Sequence, residues 1–471
     1  MNTSDSLAVS RVRQIDAADA VRSSLVRQVR AAIQGVNGHR TVRRVLVDVE
    51  QRVDTADFLR SQAFETSVYW AGRGTDRSVA AVGAAEVLSG KSGAVDTDVL
   101  EDAIVARAQS LPDGARYYGG MRFDAFQATN NDYPDRGWES FGTYRFVLPR
   151  FELIQSGSEQ HIVCNIVGPS DVKHIDEVVA DVNRLLLPAK RQRSPGFPSP
   201  TGRTDVPARE NWMSIIQGVL ESISAGAVEK VVMARSATLS HDVDVDPYAV
   251  LQQLAPATPN CFHFSFDFGG DSTFVGASPE RLFRQTNCTV YSEAVAGTRS
   301  RAQTTREDRA LRDDLMTSDK DRREHAFVED AIREMLAPLC TTLDSPNQRT
   351  EMKLSGGRHI WTRIEGTLND DVSPVALLAA LHPTPAVGGV PSERALETIR
   401  EREGFDRGWY AGPVGWIGKD EAEFAVAIRS ARIRGAQMAL YSGAGIVRGS
   451  DPQEEWDEIE QKIGNFLSLV D

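Results

Sequence analysis

Short strand-like segments follow one another closely in the second half of this chain, and their spacing constrains the fold most. Four such segments lie between residues 260 and 297, and three more lie between 409 and 447. Parallel strands need long crossover connections, whereas antiparallel strands can be joined by tight hairpins. The short gaps therefore predict an α+β fold with large antiparallel sheets flanked by helices, rather than a doubly wound parallel sheet.

The first half of the chain extends the same pattern. Residues 1–40 predict an Arg-rich helix with a frayed start, and strands are expected from residue 41 onward. The neighbouring segments 144–156 and 159–168 resemble a hairpin. A glycine pair, Gly119–Gly120, interrupts a strand pattern and indicates a bulge or a close backbone approach.

A proline-rich segment at 188–208 divides the chain into two halves. It carries four prolines in its first 13 residues and shows no hydrophobic period, which predicts a surface linker. We expect one domain built from an N-terminal half (1–187) and a C-terminal half (209–471). Helices are predicted at 305–342, 374–382, 391–401 and 451–470, where apolar residues recur at helical spacing.

Composition narrows the class of protein. A chain of 471 residues with 41% hydrophobic residues can bury a large core, and its net charge of −13 disfavours nucleic acid and anionic lipid as partners. No apolar stretch has the length of a signal core or of a membrane span. The four cysteines are scattered, which favours reduced thiols in a cytoplasmic protein.

The segment "VEKVVMARS" at 228–236 places a charge in an apolar strand. Lys230 shares a face with Val228, Val232 and Ala234, because alternate residues of a strand point the same way. One interpretation is a lysine whose amine reaches solvent at the strand end. The other is a partly desolvated amine with a lowered pKa that acts as a general base.

Several carboxylates also admit two interpretations. Glu280 follows a Ser-Pro pair, as an exposed turn residue or as an acid with a raised pKa at a pocket rim. Glu324 shares a helix face with apolar residues and therefore needs a cation, either a basic side chain or a metal. Glu455 and Glu458 lie three positions apart, and Lys462 lies four after Glu458, so these residues form a solvated ion pair or part of a hard-cation site.

Three further segments suit an anionic ligand. In "LHPTPAVGG", the two X-Pro steps after His382 force an extended, stiff loop that is typical of a pocket wall. A lone histidine is usually structural, so His382 alone indicates no role. Arg429 lies within an apparently hydrophobic strand, where a buried guanidinium needs a carboxylate. Gly443 and Gly445 permit backbone N–H groups to approach an anion.

Eight motifs in this order resemble the chorismate-utilising enzymes, the family of isochorismate, salicylate, anthranilate and aminodeoxychorismate synthases. The motifs are "EKVVMAR", "GASPERL", "AVAGTRSR", "DKDRREHAFV", "LHPTPAVGGVP", "GWYAGPVGW", "EFAVAIRSA" and "YSGAGIVRGSDPQEEWDEIEQK". The resemblance covers residues 205–471 strongly, and it extends weakly to "YYGGMRFD" and "FVLPRFEL" in the first half. It implies an anthranilate synthase component I-like fold with one site between two lobes.

The resemblance also implies site residues, motif by motif. Lys230 matches the base that activates water, and Glu280 matches the acid that protonates the departing hydroxyl. Mg²⁺ is implied as the cofactor, with Glu324, Glu455 and Glu458 as its carboxylates. The implied substrate contacts are Gly297, Thr298, His382, Ala386, Tyr410, Arg429, Gly443, Gly445 and Lys462.

The same motifs point to one branch of the family. The ammonia-using branch does not keep a lysine at the Lys230 position, and Ala296 stands where the aminodeoxychorismate branch often carries lysine. Ala386 stands where salicylate synthases tend to have a larger polar residue. Gly388, where the family often has Cys, is a small departure. These features imply an isochorismate synthase that acts on chorismate, with water as the nucleophile.

Other functions remain as alternatives. A salicylate synthase would add pyruvate elimination, an anthranilate-type enzyme would consume ammonia, and a silent homologue would serve as a scaffold. We expect a monomer, with a downstream enzyme that consumes isochorismate for a siderophore, menaquinone or another product.

Overall fold

The computed structural model describes the backbone of most of the chain, and its side chains from residue 17 onward. The described residues are 3–34, 36, 38–91, 93–127, 137–188, 196–344, 349–354 and 357–468. No helix among them is both long and apolar enough to cross a lipid bilayer.

The N-terminal half contains five helices and six strands in its described residues. The helices are α1 (Thr3–Ala32), α2 (Thr55–Ser61), α3 (Thr97–Gln109), α4 (Ser170–Lys173) and α5 (Ile175–Arg184). The strands are β1 (Thr41–Asp48), β2 (Thr66–Ala71), β3 (Arg77–Gly90), β4 (Tyr117–Met121), β5 (Tyr144–Ser156) and β6 (Glu159–Gly168). The predicted hairpin is confirmed, because β5 and β6 pair antiparallel.

The C-terminal half supplies the remaining elements. Its strands are β7 (Gly202–Val206), β8 (Lys230–Ser240), β9 (Phe262–Phe268), β10 (Thr273–Ser278), β11 (Arg281–Thr286), β12 (Thr289–Ser300), β13 (Cys340–Asp344), β14 (Thr350–Lys353), β15 (Gly357–Leu368), β16 (Gly389–Val390), β17 (Pro413–Ile417), β18 (Glu421–Val426), β19 (Ser430–Arg434) and β20 (Gln437–Val447). Its helices are α6 (Arg209–Ser224), α7 (Pro247–Ala257), α8 (Thr305–Thr317), α9 (Asp319–Leu336), α10 (Pro374–Leu381), α11 (Ser392–Arg402) and α12 (Pro452–Leu467), with a 3₁₀ turn at Ala337–Leu339.

All strand pairings are antiparallel, and the long strand β5 joins two branches of the sheet. One edge of β5 pairs with β3, and the other pairs with β4 and β6. The first branch continues from β3 through β2, β9, β10, β19 and β20 to β8. The second continues from β4 through β17, β18, β11 and β12 to β15. Strands from both halves of the sequence therefore share both branches.

The glycine pair in β4 confirms the close backbone approach expected from the sequence. A Cβ on Gly119 would lie 1.8 Å from the carbonyl oxygen of Arg145, and one on Gly120 would lie 2.6 Å from that of Pro413. Because β5 and β17 both press on β4, a larger residue would force β4 away from β5 at position 119 or from β17 at position 120.

Aromatic side chains fill the core between the branches. Phe141 and Trp409 meet at a ring-centroid distance of 5.2 Å, and Phe266 packs against Trp409 at 5.7 Å. Each large ring removes a wide apolar surface from water, so this cluster anchors the segment that leads into β17.

Two local expectations are corrected. The end of the predicted linker forms β7, which pairs with β8 and is ordered by that ladder, while residues 189–195 of the linker lie outside the described residues. The three strand-like segments expected between residues 409 and 447 form four strands, because the chain passes from the second branch to the first at residues 427–429, between β18 and β19.

Candidate active site

A cavity of about 1000 Å³ opens where the chain changes branches. Glu280 lies in the β10–β11 connection and Arg429 in the β18–β19 connection, and both line this cavity. The start of β8 adds Lys230, and β12 adds Gly297 and Thr298. The antiparallel topology thus brings together residues that are up to 200 positions apart in the sequence.

Lys230 is the first residue of β8, and its side chain is only 10% exposed. Val390 pairs with it on one side and Val447 on the other. A Cβ on Gly445 would lie 2.9 Å from Lys230 Cε, so the glycine leaves space for the lysine stem. This burial rules out an amine that reaches bulk solvent at the strand end.

The environment of the Lys230 amine favours its neutral form. Burial lowers the pKa of the amine, because the charged form loses its hydration, and Lys462 acts in the same direction. Glu324, whose Oε1 lies 3.8 Å from Nζ, and Glu280 raise the pKa and oppose this effect. A lysine with a lowered pKa is suited to accept a proton.

Glu280 has the opposite tendency. Burial is the main cause that raises the pKa of its carboxyl group to about 7; the nearby Glu293 carboxylate acts in the same direction, while Lys230, Arg429 and Arg73 oppose it. A carboxyl group with this pKa keeps its proton in part of the population near neutral pH, so it can serve as a proton donor. The cavity therefore brings together an amine with a lowered pKa, Lys230, and a carboxyl group with a raised pKa, Glu280.

Helix α9 directs Glu324 into the cavity. Ser318 caps the helix and accepts a hydrogen bond of 3.3 Å from the N–H of Asp321. Lys230 is the basic side chain that lies next to Glu324 in the described structure. Because burial lowers the pKa of this amine, Lys230 neutralises the Glu324 charge only in part, and a metal ion would supply the remaining positive charge.

Helix α12 closes the cavity from another side. Lys462 Nζ lies 2.8 Å from Oε1 of Glu458, as the four-residue spacing predicted. The same amine donates a hydrogen bond of 2.9 Å to the carbonyl oxygen of Gly443 in β20. Lys462 therefore links helix α12, which carries Glu458, to strand β20, which also lines the cavity.

Glu455 is placed differently from Glu324 and Glu458. It does not belong to the cavity lining, whereas Glu324 and Glu458 do. Burial raises the pKa of Glu455 and the neighbouring Glu458 adds to this effect, while a hydrogen bond from Ser450 opposes it. The structure thus brings two of the three carboxylates named from the sequence to the cavity surface.

The residues at the cavity fit Mg²⁺ in donor chemistry. Within the described ranges, no three Asp, Glu, His or Cys side chains form a ready-made metal cage. Mg²⁺ nevertheless binds commonly through one or two carboxylates, with waters and substrate oxygens completing its shell. Glu324 and Glu458 provide two such carboxylates, and their side chains are 41% and 48% exposed.

Arg429 lies outside the strand in which the sequence placed it. It occupies the connection between β18 and β19 with φ of 52°, a left-handed conformation that is rare for a residue with a side chain. The residue is exposed and lines the cavity. It is therefore available to an anionic group, without the buried carboxylate partner that a strand position would have required.

Tyr410 forms the wall beside Arg429. Its ring stacks on Tyr441 with a centroid distance of 5.3 Å, and the preceding Trp409 anchors it in the aromatic core. Burial raises the pKa of the Tyr410 phenol, so the group remains a neutral hydrogen-bond donor. A Cβ on Gly443 would lie 3.3 Å from its hydroxyl oxygen, so this glycine keeps the phenol accessible.

His359 was missed in the sequence, although it lines the cavity. Its Nδ1 donates to the carbonyl oxygen of Gly297 at 3.0 Å and lies 3.1 Å from the hydroxyl of Thr298. Burial lowers the His359 pKa to about 4, with Arg429 acting in the same direction. The neutral ring therefore leaves Nε2 as an acceptor. An isolated histidine in strand β15 carries no signal of this contact.

Ala386 and His382, both named from the sequence, lie in the segment after α10, but only one of them reaches the cavity. Ala386 lines the cavity, but His382 does not. The His382 Nε2–H group donates to the carbonyl oxygen of Phe123 at 2.9 Å, and the two rings pack edge to face. In this structure His382 holds the loop against the N-terminal half, in agreement with the structural role typical of a lone histidine.

Comparison with known proteins places this site in a family. The family model for chorismate binding enzymes matches residues 28–471. Isochorismate synthase 2, chloroplastic, of Arabidopsis thaliana is 34% identical over 367 residues, which cover 76% of this chain and 64% of that protein. The chain thus spans less than two thirds of the plant relative. Isochorismate synthase MenF of Escherichia coli is 29% identical over 454 residues, or 95% of this chain and 97% of that protein.

A solved structure shows the same architecture. The menaquinone-specific isochorismate synthase MenF from Escherichia coli superposes with a TM-score of 0.83 at 28% identity, covering 96% of this chain and 99% of that one. The expected α+β fold with large antiparallel sheets is therefore confirmed. Because the family model spans nearly the whole described chain, the protein belongs to the chorismate-binding enzyme family.

Proposed function

We propose that this protein is an isochorismate synthase, which converts chorismate to isochorismate by adding water at C2 with loss of the C4 hydroxyl. The observation that carries the proposal is the pairing of Lys230 and Glu280 in one cavity. Burial lowers the pKa of the amine and raises that of the carboxyl to about 7. The named isochorismate synthases among the relatives support the same activity.

The two residues divide the proton transfers of the reaction. The neutral Lys230 amine accepts a proton from water while the water oxygen forms a bond to C2. The ring double bond shifts, the C4–O bond breaks, and Glu280 protonates the departing oxygen so that it leaves as water. One C–O bond forms and one breaks, and no redox step occurs. The reaction is therefore expected to be reversible.

Mg²⁺ is the proposed cofactor, which Glu324 of α9 and Glu458 of α12 would hold, with Glu455 one turn before Glu458 on α12. When bound, the ion supplies positive charge that neutralises the ring carboxylate of chorismate. The chain contributes the two cavity carboxylates and fixes one of them through Lys462 and the carbonyl of Gly443. A protein of net charge −13 needs such local positive charge to admit an anionic substrate.

The remaining polar groups suit the other end of the substrate. Arg429 and the Tyr410 phenol are proposed to bind the enolpyruvyl carboxylate, because a guanidinium fork and a neutral hydroxyl both donate to carboxylate oxygens. Gly297, Thr298, Gly443 and Gly445 line the cavity and leave room for the ring. Ala386 adds a small apolar wall at the position where a polar residue would offer a further proton carrier.

Cellular setting belongs to the same proposal. We place the enzyme in the cytoplasm as a monomer, with a separate enzyme consuming isochorismate. One relative of known structure is menaquinone-specific, so menaquinone synthesis is one pathway that the product can enter. Siderophore synthesis or another product is the alternative.

Chromatography of the products formed from chorismate and Mg²⁺ tests the activity. We expect a single product with the mass of chorismate, formed without release of pyruvate and unaffected by ammonium salts. Salicylate with stoichiometric pyruvate would instead establish a salicylate synthase, and an ammonia-dependent amine would establish an anthranilate-type enzyme. Unchanged chorismate with a folded, Mg²⁺-supplied protein would contradict the proposal.

A further inference from the structure

The turn that carries Glu280 is held by backbone contacts from several elements. The N–H group of Glu280 donates to the hydroxyl of Ser278 at 3.2 Å, and that hydroxyl donates to the carbonyl of Val426 at 2.6 Å. The N–H group of Val426 donates in turn to the carbonyl of Glu280 at 3.1 Å. The carbonyl oxygen of Pro279 in the same turn accepts its hydrogen bond from a side chain of the N-terminal half.

That contact comes from Arg73 in the N-terminal half of the chain. Arg73 follows β2, and its guanidinium donates to the carbonyl of Pro279 and to Oε1 of Glu293. The side chain is 13% exposed, and its guanidinium lies 5.5 Å from the ring centroid of Phe262. A planar guanidinium makes both contacts at once, which a single ammonium group cannot reproduce.

Arg73 is one end of a linear network of four buried charges. Glu293 also accepts from Arg281 at 2.6 Å, and Arg281 donates to Glu423 at 2.9 Å. The Glu293 side chain is 1% exposed, and its Oε2 atom has no hydrogen-bond partner. The charges of the two guanidinium groups and the two carboxylates balance, so the network can stay buried. It holds both sequence neighbours of Glu280, because Arg73 binds the carbonyl of Pro279 and Arg281 is itself a member.

We infer that Arg73 is a positioning residue for the reaction, which fixes the Pro279–Glu280 peptide and thereby aims the Glu280 carboxyl at the substrate; this inference rests on the proposed function. Arg73 is absent from the cavity lining, so it acts through Glu280 rather than on the substrate. A displacement of about 1 Å in a reacting group can cost about 100-fold in rate. Rotation of this one peptide would move the carboxyl by a comparable distance.

The first test replaces Arg73 by Gln and by Lys. We expect Arg73→Gln to lower kcat by about 10- to 100-fold while the KM for chorismate stays within about 2-fold, because binding groups are untouched. Arg73→Lys keeps the charge and should retain more activity. A kcat equal to that of the wild type in folded Arg73→Gln would overturn the inference.

Arg116→Gln is the matched control. Arg116 also lies in the N-terminal half, pairs with Glu421 at 2.6 Å, and covers an aromatic ring, that of Trp416, at 3.5 Å. Its side chain is 12% exposed, close to the value for Arg73, and like Arg73 it does not line the cavity. The control should lose comparable thermal stability and keep its kcat. An equal loss of kcat in both variants would show that Arg73 is merely structural.

A double-mutant cycle separates positioning from general damage. In a Glu280→Gln background the carboxyl is gone, so adding Arg73→Gln should leave the residual kcat unchanged. A full further decrease would contradict a role exercised through Glu280. Failure of the proposed function is distinct, because the wild type itself would then form no isochorismate.

Discussion

Lys230 Nζ lies 3.8 Å from Glu324 Oε1, so the first residue of β8 and the middle of α9 meet across the cavity. The contact explains how a lysine can be buried in a strand: the carboxylate offsets part of the cost of desolvating the amine. Burial still dominates, and it lowers the pKa of Lys230. The pKa of the Lys230 amine therefore depends on the charge of the Glu324 carboxylate beside it.

Replacement of Lys230 by Ala should abolish turnover without unfolding the protein. Removal of a general base typically costs about 100-fold or more in rate. The measurement is kcat together with a thermal melt, and Lys419→Ala, at an exposed lysine, is the control. Wild-type kcat in a folded Lys230→Ala variant would exclude Lys230 as the base.

The raised pKa of Glu280 predicts that activity falls on the alkaline side of the pH–rate profile. Its pKa is raised to about 7, so the proton that it must donate in the direction of isochorismate formation is lost as the pH rises through 7. We expect kcat to fall above that pH, and the apparent pKa belongs to the Lys230–Glu280 pair because the two groups interact. Glu280→Gln should lose about 100-fold or more of its kcat, and its small residual rate should not fall as the pH rises through 7. A rate that stays constant well into the alkaline range would contradict this assignment.

The cavity carboxylates should determine the requirement for Mg²⁺. Glu324→Gln and Glu458→Gln each remove an oxygen donor, and we expect the Mg²⁺ concentration for half-maximal activity to rise by about 10-fold or more. Glu455→Gln should have a smaller effect, because Glu455 does not line the cavity.

Titration calorimetry with Mg²⁺ in the presence of product gives a second readout, and EDTA should remove activity reversibly. Glu334→Gln, at an exposed position of the same helix α9, is the control. Unaltered Mg²⁺ affinity in both Glu324→Gln and Glu458→Gln would contradict the proposed ligands.

Gly445→Ala should impair the base while sparing the fold. The new Cβ would lie 2.9 Å from Lys230 Cε, and the flexible lysine stem can move away, but its amine then leaves its present position. We expect kcat to fall by about 10-fold or more with an intact thermal melt. Gly464→Ala in α12 is the control, since no heavy atom would lie within 4 Å of its Cβ. Equal kcat for both variants would show that the amine position is not critical.

A buried ion pair behind the cavity predicts a loss of stability. The Arg407 guanidinium donates to Glu403 at 2.7 Å and to the carbonyls of Val387 and Val232 at 3.0 and 2.8 Å. Arg407→Met leaves the Glu403 charge unpaired, which typically costs about 3–5 kcal/mol of unfolding free energy. Urea denaturation measures this cost. Arg394→Met, at an exposed pair, should leave the midpoint unchanged, and an equal shift would contradict the account.

Features that depend on residues close together in the sequence could be predicted. The Glu458–Lys462 pair and the β5–β6 hairpin both follow from short-range spacing. Lys230 and Glu280 are separated by 50 positions, so their shared cavity followed only from motifs in a familiar order. Their convergence depends on the crossing between β10 and β11, which no local pattern encodes.

The omissions have a common physical cause. His359 lines the cavity and contacts Gly297, and Arg73 reaches the Glu280 turn from the turn after β2 in the other half. Neither residue has a neighbour in sequence that reveals its partner. Arg429 was assigned to a strand because its flanking residues are apolar, whereas the chain reverses there with a positive φ. Long-range pairing decides such positions.

The central claim is that Lys230 makes water the nucleophile at C2. Incubation of the wild-type protein with chorismate and Mg²⁺ in oxygen-18-labelled water, followed by mass spectrometry and carbon-13 NMR, tests it most directly. We predict one heavy oxygen, bonded to C2 of the product, and no labelled product from Lys230→Ala. An unlabelled product from the wild type, or full labelling at C2 by the Lys230→Ala variant, would contradict the claim.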